Sequence, residues 1–464
     1  MKSGTRRTRH RKSPTGTDVF RTTNTQISVR TRCYSAPMSW LVLTAMLALL
    51  AAGTAVAYAL GASSVLAFIA SGNTQYLAIV PQRIFSQIDV FALMAMPLFI
   101  LAGEIMNRAG ITRALVDFAM AMLGRLKGGL GHVNVMASVF FAGISGSAVA
   151  DAAALGNTLV PAMVARGYKP LYAAAITAAS SVIGPIIPPS IVMIFYGAVM
   201  QTSVAALFVA GVVPGLLLAV VLFIVNAWFA HRDDHPGGVD ADIPAFWPAF
   251  WRALPALSLP VIILGGIVFG VVTPTEAAAL TVVAALAVGY WYGGLGRADL
   301  SQSLVQTASL TGAIFMILGA VACFSWLAGH EQLPQRLAGF VTELGLGKTA
   351  YLLVINLIFV IAGMVLDPPV ALALLVPLLA PPAVALGVDP VHLGIVLCLN
   401  LTIGLITPPV GGCLLAVSTV CKVEYWALAR AILPFAVMEV LLLLVIVLVP
   451  DLSLFLPRMF GLVP

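Results

Sequence analysis

The chain has 464 residues, of which 61% are hydrophobic and only 9% charged, with a mean hydropathy of +1.04. That composition excludes a soluble globular protein. The net charge of +6 does not point to nucleic acid: nine of the 24 Lys and Arg fall in residues 1–37 against one acid, Asp18, leaving 15 basic and 17 acidic side chains for the rest.

The leader, residues 1–37, is rich in Ser, Thr and Arg, a composition that predicts disorder. Three readings of it stay open. It is a cytoplasmic tail that orients the first span, or a targeting segment, although no apolar stretch adjoins Arg6-Arg7. Alternatively it is not translated, and Met38 is the first residue.

From residue 38 onward apolar stretches follow one another. At about 20 residues per spanning helix, they predict roughly a dozen spans plus re-entrant segments. The first half, 38–230, has spans near 39–60, 62–80, 91–106 and 112–124, a re-entrant hairpin at 139–163, an interrupted span at 171–200 and a span at 203–230. A polar connector, 231–252, follows. The second half, 253–464, has spans near 253–272, 276–293, 306–329 and 349–366, a hairpin at 359–382, an interrupted span at 391–420 and a span near 431–450. The expected class is an all-α polytopic membrane protein made of two repeats. The basic residues Arg125 and Lys127 before the first hairpin favour an inverted relation between them.

The two interruptions carry the function. Ile183, Gly184, Ile186, Pro188 and Pro189 recur 220 positions later as Ile403, Gly404, Ile406, Pro408 and Pro409. Inside a bilayer, irregular backbone survives only where it is buried in protein or lines a cavity. Matched broken spans in the two halves of a polytopic chain mark a transporter's binding site. Helical hydrogen bonds run from N–H of residue i to C=O of residue i−4, and proline has no N–H. Pro185 is therefore expected to free the carbonyl of Ser181, Pro188 that of Gly184, Pro408 that of Gly404 and Pro409 that of Leu405. Such oxygens beside the hydroxyls of Ser181 and Thr407 suit a hard monovalent cation. The helix that restarts after each break offers its positive end to an anion.

Charged groups inside the bilayer cost about 2.5–3.5 kcal/mol each on insertion scales, so each acid needs a reason. Asp151 and Asp367 fall near matching points of the hairpins, where they tune the site or cap a helix. Glu104, beside Asn107 and Arg108, reads as interfacial, and Glu276 as an N-terminal capping acid. Glu439 has no firm account; packing against another subunit is one reading. His132 and His392 lack a second ligand at metal spacing, and the five cysteines, Cys33, Cys323, Cys398, Cys413 and Cys421, form no CxxC pair. No P-loop, nucleotide fingerprint or nucleophile–base arrangement is present, so neither ATP-driven transport nor enzymatic catalysis is indicated.

Four stretches carry a family resemblance: Met96–Thr112 (MPLFILAGEIMNRAGIT), Gly128–Gly156, Ser180–Ile191 and Asp389–Gly411. In them the chain resembles the large membrane subunit, of the C4-dicarboxylate permease (DctM) type, of tripartite ATP-independent periplasmic (TRAP) transporters. The resemblance covers the chain from Met38 onward. It implies a sodium-coupled elevator transporter of the bacterial or archaeal cytoplasmic (inner) membrane that takes up an organic acid. A small membrane subunit (DctQ-type) and a periplasmic substrate-binding protein (DctP-type) are the implied partners, with Na+ the coupling ion and no further cofactor. A first sodium site is implied around Ser145, Ser147, Ser181, Gly184, Ile187 and Pro189, and a second around Gly363, Gly404, Thr407 and Val410. The substrate carboxylate is expected between the breaks, with Asp151 and Asp367 as substrate or hairpin residues. The hairpin sequence AVADAAALG is that of dicarboxylate-type members and disfavours sialic acid. The alternative is a stand-alone cation-coupled carboxylate transporter.

Overall fold

The computed structural model describes residues 44–46, 48–50, 52–70, 74–236 and 243–463. The leader, Met38 and Cys33 lie outside the described residues. The described residues form helices and no strand.

In chain order the helices of the first half are α1 (Val56–Ala70), α2 (Val80–Ile88), α3 (Ala95–Arg108), α4 (Ile111–Leu123), α5 (Gly129–Ser145), α6 (Ala148–Ala165), α7 (Pro170–Ser180), α8 (Ile191–Met200) and α9 (Val204–Arg232). α10 (Phe246–Val268) follows the connector. The second half continues with α11 (Pro274–Trp291), α12 (Arg297–His330), α13 (Leu333–Glu343), α14 (Lys348–Gly363), α15 (Pro368–Ala385), α16 (Pro390–Gly404), α17 (Gly412–Cys421), α18 (Tyr425–Ala431), α19 (Leu433–Leu448) and α20 (Asp451–Met459).

Adding 220 to the first-half helices reproduces the second half. α6 maps onto 368–385, the bounds of α15, and α5 onto 349–365 against α14 at Lys348–Gly363. α1 maps onto 276–290 within α11, and α4 onto 331–343 against α13. The repeat thus extends well beyond the hairpins and breaks. The halves also exchange partners: α1 packs on α12 and α11 on α3, while α6 packs on α17 and α15 on α8. Each hairpin arm therefore leans on the broken helix of the other half.

Seven described helices are long and apolar enough to cross a membrane, or nine spans if two sharply bent pairs count as one each. This is fewer than the dozen expected, for three reasons. Gly53 takes a left-handed backbone (φ 81°), and α1 occupies Val56–Ala70, so the expected spans 39–60 and 62–80 are divided differently. The expected span at 112–124 is the 13-residue α4, about 20 Å long, which is short of a bilayer core of about 30 Å. The expected span at 349–366 is α14, the first arm of the second hairpin. Both hairpins are longer than 139–163 and 359–382, because their arms run through α5–α6 and α14–α15. The connector is shorter than 231–252, since α9 continues through Arg232 and α10 starts at Phe246.

Local chemistry explains the ends. Ser147 accepts a hydrogen bond from the Ala150 N–H and caps α6; Ser190 accepts from the Met193 N–H and caps α8. Glu276 closes a capping box with Thr273 at the start of α11, as expected. Glu104 pairs with Arg108 one turn on at 3.6 Å, and Arg108 donates to Gln302. The small residues Ala173, Ala174, Ala175, Ala178 and Ala179 of α7 are all fully buried, which lets neighbouring helices approach closely.

Candidate functional site

Both hairpin tips reach a break. In the first copy the chain turns at Gly146 (φ 60°), and a Cβ there would lie 2.6 Å from the carbonyl oxygen of Pro189. Ser145 and Ser147 flank that turn. The Ser145 hydroxyl donates to Asp151 Oδ1 and accepts from the Ser147 N–H. Asp151 is 1% exposed, its Oδ2 has no hydrogen-bond partner among the described residues, and any side chain at Gly184 would overlap that oxygen. The hairpin carboxylate is therefore pressed against the first break.

In the second copy the crossing is backbone on backbone. A Cβ on Gly404 would stand 2.5 Å from the Gly363 carbonyl carbon, and one on Gly363 would stand 3.1 Å from the Leu401 oxygen. The Gly411 N–H donates to Met364 O in the hairpin turn at 3.3 Å. Both Pro–Pro bonds, Pro188–Pro189 and Pro408–Pro409, are cis.

The breaks adjoin one another. α17, which restarts after the second break, packs on α6 of the first hairpin and on α7, which leads into the first break. A Cβ on Gly412 would touch Val149 of the first hairpin at 3.5 Å. A small cleft of about 60 Å³ lies against the first tip, lined among others by Gly103, Glu104, Asn107, Ser145, Ser147 and Asp151.

Proline accounting holds for one of the four expected carbonyls. In the first break the N–H groups of Ile186 and Ile187 both go to Ile183 O, and Pro185, Pro188 and Pro189 have none, so Gly184 O receives no donor from the break. Ser181 O is not free: the Gly184 N–H reaches it at 3.1 Å by a tighter turn. In the second break Thr407 N–H donates to Gly404 O at 3.0 Å, and Cys413 N–H to Leu405 O at 3.0 Å. Helix geometry does not approach either break unchanged, and the tightened turn re-satisfies what proline would have orphaned.

The remaining expected residues divide. Ile187 turns its side chain toward Gly215 of α9. The Ser181 hydroxyl donates to Ala178 O and that of Thr407 to Ile403 O, both at the breaks. The carbonyls of Pro409 and Val410 accept from the Tyr425 hydroxyl at 2.9 and 3.0 Å. Asp367 occupies the N-cap position of α15 without a side-chain capping bond. The matching point of Asp367 is Ser147, not Asp151; Asp151 falls opposite Ala371.

Sequence reading missed the polar ladders behind the breaks. Asn134 donates to Thr177 at 2.6 Å, and Ser138 to Ser180 at 2.8 Å, joining α5 to α7. Asn400 donates to the backbone and side-chain oxygens of Asn356, joining α16 to α14. Ser180 and Asn400 are 220 apart, which was the available signal. His392 hydrogen-bonds Ser453 at 2.7 Å, and no group of three metal-ligating side chains occurs among the described residues.

The family described as "Tripartite ATP-independent periplasmic transporter, DctM component" matches residues 43–452. The sialic acid TRAP transporter large permease protein SiaM of Vibrio cholerae is 38% identical over 85% of this chain and 93% of its own length. The C4-dicarboxylate TRAP transporter large permease protein DctM of Pseudomonas aeruginosa is 38% identical over 86% of this chain and 93% of its own. Among solved structures, the YdaH transporter of Alcanivorax borkumensis, described as having an unusual topology, shares the fold at a TM-score of 0.64 and 14% identity, covering 92% of this chain and all of that one. The twin hairpins, twin breaks and near-full-length match agree: this multi-pass membrane chain belongs to the DctM family, the large permease component of tripartite ATP-independent periplasmic transporters, and is not an enzyme.

Proposed function

We propose that this chain takes up an organic anion across the bacterial or archaeal inner membrane, driven by a sodium gradient. The observation that carries the reading is the contact of each hairpin tip with a glycine-proline break, at Gly146–Pro189 and Gly363–Gly404. Carbonyl oxygens gathered there, with the Asp151 carboxylate beside the first break, form a neighbourhood in which a hard cation replaces its water shell. Ser145, Ser147, Ser181, Gly184, Ile187 and Pro189 surround the first cation, and Gly363, Gly404, Thr407 and Val410 the second. The anion lies between the breaks, facing the helix starts at α8 and α17.

Chemistry sets the substrate class. Sialic acid and C4-dicarboxylates, named for two relatives of equal identity, both carry a carboxylate. That equality gives no support to disfavouring sialic acid on the strength of AVADAAALG; an organic acid is the class, and a C4-dicarboxylate one member. A small membrane subunit and a periplasmic binding protein complete the system. The hairpins and broken helices move together as an elevator, and the two halves are inverted relative to each other.

Reconstitution of the three components in liposomes tests this. Uptake is expected only with an inward sodium gradient and with the binding protein present. Uptake that persists after the gradient is collapsed overturns the coupling, and transport by this chain alone favours the stand-alone alternative.

A further inference from the structure

Glu439 lies in the middle of α19 between Met438 and Val440 and is fully buried. Burial inside one chain removes the reading in which it packs against another subunit. Both carboxyl oxygens are sealed from solvent, and neither has a hydrogen-bond partner among the described residues.

Among the described residues, none of the helices packed closely on α19 supplies a counter-charge. α19 packs against α7, α9, α14, α16 and α18. The titratable or charged groups on these helices are Tyr172 (α7), His231 and Arg232 (α9), Lys348 and Tyr351 (α14), His392 and Cys398 (α16), and Tyr425 and Arg430 (α18). Tyr172 donates to Asn226, Lys348 to Gly387 O, Tyr351 to Leu379 O, and Tyr425 to Pro409 O and Val410 O. His392 bonds Ser453, His231 bonds Ala227 O, Arg232 lies over the Trp228 ring and Arg430 is exposed. Cys398 is a buried thiol and carries no positive charge. α19 nevertheless packs on α16, the helix that ends at the second break.

A bare carboxylate sealed in an apolar interior is far more costly than one that has taken up a proton. Intramembrane acids that face a bundle interior are used as proton relays elsewhere. We propose that Glu439 is a proton-binding site of the moving unit, occupied by one proton when the cation and anion sites are as described here. Release of that proton places a negative charge near the second break. An unpaired charge in that apolar interior is costly, so the protonated form is the one that completes the cycle, and uptake falls as pH rises. The repeat partner of Glu439 is Ala219, buried in α9, so the device belongs to one copy only.

Two measurements test it. The infrared spectrum of the full-length wild-type chain at neutral pH should contain a protonated-carboxyl band that Glu439→Gln lacks. If the Gln variant fails to fold, Glu439→Leu serves, because it also replaces a neutral group. Identical spectra overturn the proton site. This readout needs no transport, so it separates failure of the site from failure of the sodium-coupled anion reading on which the second measurement rests. That second measurement is initial uptake by the three-component system from about pH 6 to about pH 9, at a fixed sodium gradient and with equal pH on both sides. Wild type should slow several-fold toward the alkaline end while Glu439→Gln stays flat. Matching pH profiles overturn the link between the proton and transport, even where the band is lost.

Discussion

The two copies of the hairpin-and-break unit share a frame and differ in chemistry. Their helix ends coincide at an offset of 220, down to identical bounds for α6 and α15. Gly184 and Gly404 occupy the same place, yet Gly184 meets a carboxylate and Gly404 meets the backbone of Gly363. Asp151 has Ala371 as its counterpart, Ser181 has Leu401, and Ile187 has Thr407. Gly184 O is left without a donor by its break, whereas Gly404 O is taken by Thr407 N–H. Duplication therefore preserves what positions the chain, namely glycines at close approaches and prolines at interruptions. It leaves the polar groups around them free to diverge. At the first break the glycine meets a carboxyl group, and at the second it meets backbone.

The largest effect is expected where the second copy is tightest. Gly404→Val forces the α14 and α16 backbones apart, because even a Cβ lies 2.5 Å from Gly363. Overpacking of this kind costs about 1–3 kcal/mol, and uptake should be lost together with a drop in thermal stability. Gly184→Ala presses on a side chain, Asp151, which can turn. It should impair uptake with a smaller thermal shift, and equal shifts in the two variants would break the comparison.

Next in size is the acid. Asp151→Asn should raise the sodium concentration for half-maximal uptake about tenfold, equivalent to about 1.4 kcal/mol, with a weaker effect from Asp367→Asn at the exposed tip. Placing an acid in the other copy, Ala371→Asp, adds an intramembrane charge of about 2.5–3.5 kcal/mol and should reduce membrane yield on quantitative blotting. Thr407→Val removes a hydroxyl that donates to Ile403 O at 2.8 Å. A net hydrogen bond of about 1 kcal/mol corresponds to about a fivefold fall in the initial rate, while Ile187→Val in the first copy should change the rate little.

The smallest effect lies on the surface. Lys127 reaches Asp234 at 2.7 Å, and this hydrogen bond holds the Asp234 carboxyl below the usual range. A depressed carboxyl contributes stability above its unfolded value and loses it as the pH falls through the folded one. Asp234→Asn should remove only this slight acid sensitivity in thermal melts.

Much of the site was legible because glycine and proline leave conspicuous marks in an apolar chain. The breaks at Gly184 and Gly404 and the tips at Ser145–Ser147 and Gly363–Asp367 could be read directly. Span number could not, since the apolar arm α14 looks the same whether it crosses the bilayer or folds back. The fate of the Ser181, Gly404 and Leu405 carbonyls was also hidden. Proline removes a particular donor, but the turn that forms in its place recruits Gly184, Thr407 or Cys413 N–H. The ladders through Asn134, Ser138, Asn356 and Asn400 join positions more than forty residues apart, beyond the reach of local pattern. The partner-free burial of Glu439 in α19 required knowledge of every helix around it.

If each break holds a coupling cation, as proposed, initial uptake must depend on sodium at more than one site. In proteoliposomes with the binding protein saturating, the rate should rise sigmoidally with external sodium, and substitution at Gly404 should remove the cooperative part in any variant that still transports. A rate unchanged when sodium is replaced by choline would mean that neither break holds a coupling cation.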